Sequence, residues 1–196
     1  MSHYFTTDEG EHDFSEISFD FHGETYKFKT DRGVFSRGQV DYGTRTLLEG
    51  VVSDAGKEYS TLIDMGAGYG PLGIVLGSVL KIDPVMVEVN EDAIGLLHEN
   101  VRKNGVNAEI FNREEYDRSD AAAELYVTNP PFRAGKETVM GIIADGFERL
   151  REGGSFYMVV QKKQGMKSYK GAIENTFGNA SVVMKDRGYH VLKGVK

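Results

Sequence analysis

The chain has 196 residues, a formal charge of −7, 40% apolar and 27% charged side chains, four prolines and no cysteine. That balance suits one soluble domain large enough for a sheet covered on both faces, and it excludes a disulfide framework, a thiolate metal site and a surface that grips nucleic acid over its whole extent. No apolar run approaches the roughly 20 residues of a bilayer span, and the start "MSHYFTTDEGEHDF" has neither the basic nor the apolar part of a secretory signal, so a cytoplasmic location with no membrane contact is expected.

Charge is unevenly spread. Acids dominate the beginning (Asp8, Glu9, Glu11, Asp13, Glu16, Asp20, Glu24, Asp31), and bases dominate the end (Lys162, Lys163, Lys167, Lys170, Lys185, Arg187, Lys193, Lys196). The readings are a solvated surface with an acidic start, or a basic binding rim near the end.

In chain order, "SFDFHGETYKFK" alternates apolar and polar residues on both sides of His22-Gly23, which predicts a hairpin over Ser18–Lys29 capping one edge of the domain. Val40, Leu47, Leu48 and Val51 predict a helix over Gln39–Val52, starting near Asp41 or Thr44. Alternation follows: strand Tyr59–Ile63, helix Pro71–Leu80, strand Pro84–Val89, helix Glu91–Lys103, short strand Ala108–Phe111, strand Leu125–Thr128, helix Lys136–Leu150 and strand Ser155–Gln161. Ser181–Lys185 and Tyr189–Val195, parted by Asp186-Arg187-Gly188, predict an antiparallel hairpin on one edge. Strands and helices taking turns require an α/β, Rossmann-like doubly wound sheet. The chain divides into an N-terminal hairpin and lead-in segment over 1–38 and the α/β domain proper over 39–196, together one compact domain.

Between the first strand of the alternating series and its helix lies "IDMGAGYGPLG". Gly66, Gly68 and Gly70 let the backbone turn sharply beside a ligand, and the following helix directs its amides there. At the end of the next strand, Glu88 is placed to accept ribose hydroxyl protons. Gly68-x-Gly70-x-x-Gly73 with Glu88 matches the dinucleotide fingerprint, so NAD is one candidate cofactor. Asp64 sets a carboxylate where a pyrophosphate would approach and favours a cationic group instead, as in S-adenosylmethionine.

"VTNPPFRAGK" then closes the fourth strand of the series. Its prolines end the strand in a rigid loop, and the doubly wound topology brings Asn129 to the same carboxyl edge as Asp64 and Glu88. The Asn129 side-chain oxygen and the Pro130 carbonyl, stiffened by Pro131, are two acceptors suited to the N–H groups of an exocyclic amine, with Phe132 as a stacking face. An amine so held attacks a methyl carbon through positioning alone. The five histidines show no ligand spacing, so no metal is expected.

With these motifs in hand, the chain resembles the small-domain class I methyltransferases typified by the bacterial ribosomal RNA small-subunit guanine-N2 methyltransferase C type and its single-domain archaeal and bacterial relatives. The resemblance runs from Phe28 and rests on "FKTDRGVFSRGQVDYGTRTLLE", "DMGAGYGPLGI", "NPPFRAGK", "VVQKKQGMKS" and "FGNASVVMKDRGYHVLK". It implies a class I methyltransferase sheet with an antiparallel last strand, S-adenosylmethionine as donor, and guanine N2 in ribosomal RNA or a ribosomal particle as target. It further implies cofactor contacts at Asp64, Gly66, Ala67, Gly68, Gly70, Glu88, Val89 and Asn129, and catalytic roles for Asn129, Pro130, Pro131 and Phe132. Where relatives carry Ser-Asp before a tyrosine, this chain has Glu114 ahead of Tyr116, which is matched to the cofactor's adenine; relatives often have an aliphatic residue at the place of Phe132. Arg32, Arg37, Arg133, Lys136, Lys162 and Lys163 are expected to form a rim contacting RNA phosphates, and Phe35 to cover the cofactor. Methylation of adenine N6 or of a protein glutamine shares the NPPF chemistry, and a non-catalytic RNA or ribosome-assembly binding protein is the alternative outside enzymes.

Overall fold

A computed structural model describes residues 13–31, 38–54, 56 and 58–196. Arg32, Phe35 and Arg37 lie outside the described residues. The elements are β1 (Ser15–Phe21), β2 (Glu24–Thr30), α1 (Tyr42–Asp54), β3 (Leu62–Met65), α2 (Pro71–Leu80), β4 (Pro84–Val87), α3 (Glu91–Lys103), β5 (Glu109–Phe111), α4 (Arg113–Arg118), β6 (Ala123–Thr128), α5 (Lys136–Arg149), β7 (Leu150–Gln161), α6 (Met166–Phe177), β8 (Ser181–Asp186) and β9 (Tyr189–Val195).

Seven strands form one sheet in the order β5-β4-β3-β6-β7-β9-β8. The pairs from β5 to β7 are parallel, whereas β9 runs antiparallel to β7 and β8 antiparallel to β9. Order reverses between β3 and β6, which is the switch point where an open α/β sheet leaves a crevice at its carboxyl edge.

Side-chain alternation explains the two covered faces. Leu62, Leu125 and Tyr157 pack with α1, α2, α3 and the N-terminal hairpin, while their neighbours Ile63, Tyr126 and Phe156 pack with α4, α5 and α6. Parallel strands buried on both sides must read as continuous apolar runs, as "SFYMVVQ" does.

The hairpin β1-β2 turns at His22 (φ 48°) and Gly23 (φ 85°) as expected. It caps α3 rather than an edge of the large sheet: the backbone N–H groups of Lys29 and Lys27 donate to Asn100 and Asn104 at 2.7 and 3.0 Å. Asn100 is fully buried, and its amide also donates to the Tyr69 carbonyl at 2.8 Å, tying the hairpin to the glycine loop.

Two helices go beyond the expected elements. In α4 an Asn112/Glu115 capping box nucleates a single short run. In α6, Tyr169, Ile173 and Phe177 recur at a spacing of four and bury one face against the second core. Strand β7 also begins at Leu150, ahead of the expected Ser155, because a bulge with Gly153 at φ 75° carries the chain from the Ala123 pairing to the Leu125 pairing. Among the described residues no helix is long and apolar enough to cross a membrane, and no cluster of His, Cys, Asp or Glu has metal-ligand geometry.

Candidate functional site

A cavity of about 780 Å³ opens at the carboxyl edge of β3, β4, β6 and β7. Its wall combines Gly66, Ala67 and Gly68 after β3, Glu88 and Val89 after β4, Asn129 to Arg133 after β6, and Gln161 at the end of β7 with Gln164 beyond it. Strand geometry explains the convergence: parallel strands end on one edge, so loops far apart in sequence meet there.

The glycine loop is locally determined. Gly66 and Gly68 take φ of 76° and 58°, with nothing within 4 Å of where a Cβ would stand. A side chain would strain both positions and obstruct open space. The amides of Gly66 and Ala67 donate to the Val87 carbonyl, each at 2.9 Å, and Gly68 donates to Glu88 Oε2 at 2.7 Å. Glu88 Oε1 accepts from the amides of Val89 and Asn90 at 2.8 and 2.9 Å. Three backbone donors fix this carboxylate, which retains lone-pair capacity toward the cavity it lines.

Asp64 is placed otherwise than a cavity-facing ligand. It is 1% exposed and accepts from the Gly73 amide at 2.9 Å through Oδ2, while Oδ1 has no hydrogen-bond partner among the described residues. Burial is the main reason its pKa is pushed up to about 7 from the ordinary 3.8; the Gly73 N–H opposes the rise and the nearby Glu88 charge adds to it. Its side chain shares a face with Leu62 and braces the start of α2 from behind the loop.

After β6, Pro131 takes φ −76° and ψ 79°, and the Phe132 amide donates to the Pro130 carbonyl at 2.9 Å, an inverse γ-turn. The carbonyl keeps a second lone pair. Asn129 Nδ2 donates to Asp41 Oδ2 and Thr44 Oγ1, each at 3.0 Å. The Phe132 ring lies 5.6 Å from that of Tyr169 on α6, tilted by 55°. Thr128 donates to the Met65 carbonyl at 2.9 Å and locks the two strand ends together.

The remaining sequence candidates distribute around this centre. Gly70 is the N-cap of α2, at φ 107°, and Val89, 71% exposed, lies between the main cavity and an adjoining one lined by Arg113 and Glu114. Glu114 pairs with Arg118 there. Arg133 lines the main cavity, whereas Lys136, Lys162 and Lys163 are exposed beyond its wall. The sequence motifs do not single out several wall residues: Asp41 and Thr44 as cavity groups, Tyr69, Arg113, Thr138 and Tyr189. Tyr69 carries a buried hydroxyl with no hydrogen-bond partner among the described residues, and burial, then the Asp41 charge, raise its pKa. Only the register of Gly-Tyr-Gly within the loop hints at it.

Residues 25–193 match the family described as methyltransferase small domain. The chain belongs to that family. Uncharacterized protein YbxB of Bacillus subtilis is 37% identical over 183 residues, covering 91% of this chain and 90% of that protein. Ribosomal RNA small subunit methyltransferase C of Vibrio cholerae is 27% identical over 188 residues, covering 93% of this chain and 53% of that protein. Among solved structures, the T. thermophilus 16S rRNA N2 guanine methyltransferase, in complex with AdoMet and guanosine, superposes with a TM-score of 0.84 at 28% identity, covering 93% of this chain and 50% of that one. The chain thus spans about half the length of the ribosomal RNA methyltransferases it matches. It has the class I methyltransferase fold, and the T. thermophilus enzyme it superposes on holds AdoMet. The open glycine loop and the fixed Glu88 carboxylate fit S-adenosylmethionine.

Proposed function

We propose that this methyltransferase modifies the exocyclic N2 of guanine in ribosomal RNA. The observation carrying the reading is the Asn129 amide, fixed by its nitrogen beside the Pro130 carbonyl in the cavity wall. When bound, S-adenosylmethionine supplies an electrophilic methyl carbon on a sulfonium. Asn129 Oδ1 and the Pro130 carbonyl accept the two N–H groups of the target amine, freeing its lone pair from the ring and aiming it at that carbon. Phe132, backed by Tyr169, supports the extruded base. Glu88 accepts from the donor's ribose, the loop Gly66, Ala67 and Gly68 admits its close approach, and Val89 with Glu114 borders the adenine. Gly70 and Asp64 act indirectly, by setting the start of α2. Arg133, Lys136, Lys162 and Lys163 contribute the phosphate-contacting rim, and Arg32 and Arg37, within residues 1–38, are further phosphate-binding side chains of the sequence. The named function of the relatives supports this substrate class.

The test is transfer of labelled methyl to ribosomal RNA from a strain lacking the gene, followed by nucleoside digestion and mass spectrometry. N2-methylguanosine is the expected product. N6-methyladenosine, or label in protein glutamine, would replace the proposed acceptor, since any planar amine or amide can use the same two acceptors. Absence of S-adenosylmethionine binding at micromolar concentration would turn the reading to a binding protein.

A further inference from the structure

The start of α1 meets the Asn129 amide in the cavity wall, and its two contributing residues, Asp41 and Thr44, have been given no role so far. Asp41 is the cap of α1: its Oδ2 accepts from the Thr44 amide at 3.0 Å, and its carbonyl accepts from Arg45 at 3.0 Å. The same Oδ2 accepts one hydrogen of Asn129 Nδ2, and Thr44 Oγ1 accepts the other, each at 3.0 Å. A carboxylate oxygen only accepts, so the Asn129 group facing it must be NH₂. The amide oxygen is thereby turned the other way, and among the described residues nothing donates to it.

We propose that Asp41 and Thr44 are positioning residues: they select the one amide orientation of Asn129 that presents Oδ1, not NH₂, to the acceptor amine. The proposal deepens the N-methyltransferase reading and rests on it. Without these partners the amide can turn over, and its NH₂ would then oppose the N–H groups it must receive. Gly43 shows how closely the group is fitted, since a Cβ there would stand 2.9 Å from Asp41 Oδ2 and 2.9 Å from the Tyr189 ring. A glycine in the first turn of a helix, otherwise a poor choice, leaves the carboxylate its place.

Three variants separate positioning from capping. Thr44→Val removes one acceptor at nearly constant shape and should lower kcat about tenfold, the scale of one hydrogen bond in a dry site. Asp41→Ser keeps a capping oxygen but withdraws the acceptor from Asn129, and should lower kcat about 100-fold, the cost of a misplaced group. Asp41→Asn keeps an oxygen for both donors and should recover most of the rate. In all three, S-adenosylmethionine affinity should stay within about threefold and thermal unfolding should remain cooperative, because the glycine loop and Glu88 are untouched. Loss of cofactor affinity in parallel with kcat, or no loss of kcat, would overturn the proposal.

A second readout does not depend on the acceptor. Hydrogen exchange of the Asn129 side-chain amide, followed by NMR in the wild-type protein, should be slow and should accelerate in Thr44→Val and Asp41→Ser. Fast exchange in the wild type would overturn the positioning role even if RNA is methylated. Slow exchange with no transfer to RNA would leave positioning supported and refute the substrate reading alone.

Discussion

The Gly73 amide donates to Asp64 Oδ2 at 2.9 Å, and a Cβ built on Gly73 would stand 2.8 Å from the same oxygen and 2.6 Å from Met86 Cε. The fourth glycine of IDMGAGYGPLG therefore serves close packing of α2 on the sheet. Alanine would gain about 1 kcal/mol of helix propensity but overpack a filled site at a cost of about 1–3 kcal/mol. Met86 Cε can yield, whereas the buried carboxylate has little room. Gly73→Ala should therefore lower stability in chemical denaturation and weaken S-adenosylmethionine binding; unchanged values for both would show that α2 tolerates a shift.

Asp64 predicts a pH effect of definite sign. Its folded pKa of about 7 lies above the ordinary 3.8, so between those values the folded state holds a proton that the unfolded chain has released. The stabilising contribution is complete below the ordinary value and is lost as pH rises through the folded one. Compared with Asp64→Asn, the wild type should lose up to about 1.4 kcal/mol per pH unit across that window and nothing further above it. Denaturant titrations of both proteins at several pH values give the difference directly.

Asn129 stands 3.0 Å from the Asp41 carboxylate, so its acidic isostere is not innocent. Asn129→Asp would put two carboxylates at hydrogen-bond distance and raise the pKa of the pair. Its stability deficit should grow by at least about 1.4 kcal/mol from about pH 5 to about pH 8, the free energy of a tenfold change in proton affinity. Asn129→Ala should instead show a deficit that does not widen, with transfer abolished and cofactor affinity nearly intact. Melting curves and isothermal titration distinguish the two.

Phe132 is supported by Tyr169 at 5.6 Å, and stacking of a base on an aromatic ring contributes about 1–3 kcal/mol. Phe132→Ala should reduce kcat/KM on an RNA acceptor about 10- to 100-fold, leaving the affinity for S-adenosylmethionine unchanged. Phe132→Leu, a residue type closer to that of relatives, should retain more activity than Ala. Equal rates for all three would remove the stacking role.

Lys162 and Lys163 are exposed where the chain leaves β7. If each contacts a phosphate, replacing both with Ala should flatten the plot of log affinity for single-stranded RNA against log salt by about 1.4, some 0.7 per contact. An unchanged slope would place the RNA elsewhere.

Local pattern determined most of the architecture. Strand and helix periods, the His22-Gly23 turn and the alternation from β3 onward required a doubly wound sheet, and that topology alone places Glu88 and Asn129 on one edge. Two further helices were also written locally, in the Asn112-x-x-Glu115 box and in the spacing of Tyr169, Ile173 and Phe177 between Gly165 and Gly178. Even the inward turn of Asp64 follows from its parity with Leu62, once the faces are known.

What local pattern could not determine was which side chains meet. Asp41 and Asn129 are 88 residues apart, and Phe132 meets Tyr169 only because α6 crosses behind the loop. Hydrogen bonds of this kind act over about 3 Å and depend on how helices settle on the sheet, which is decided by the packing of the whole core. Periodicity and backbone chemistry, acting between near neighbours, thus settled the fold, the cofactor loop and the acceptor motif. Long-range packing settled that Asn129 is held by its nitrogen and that Gly68 joins the neighbouring amides of Val89 and Asn90 on Glu88, because both outcomes depend on distances between segments that share no local signal.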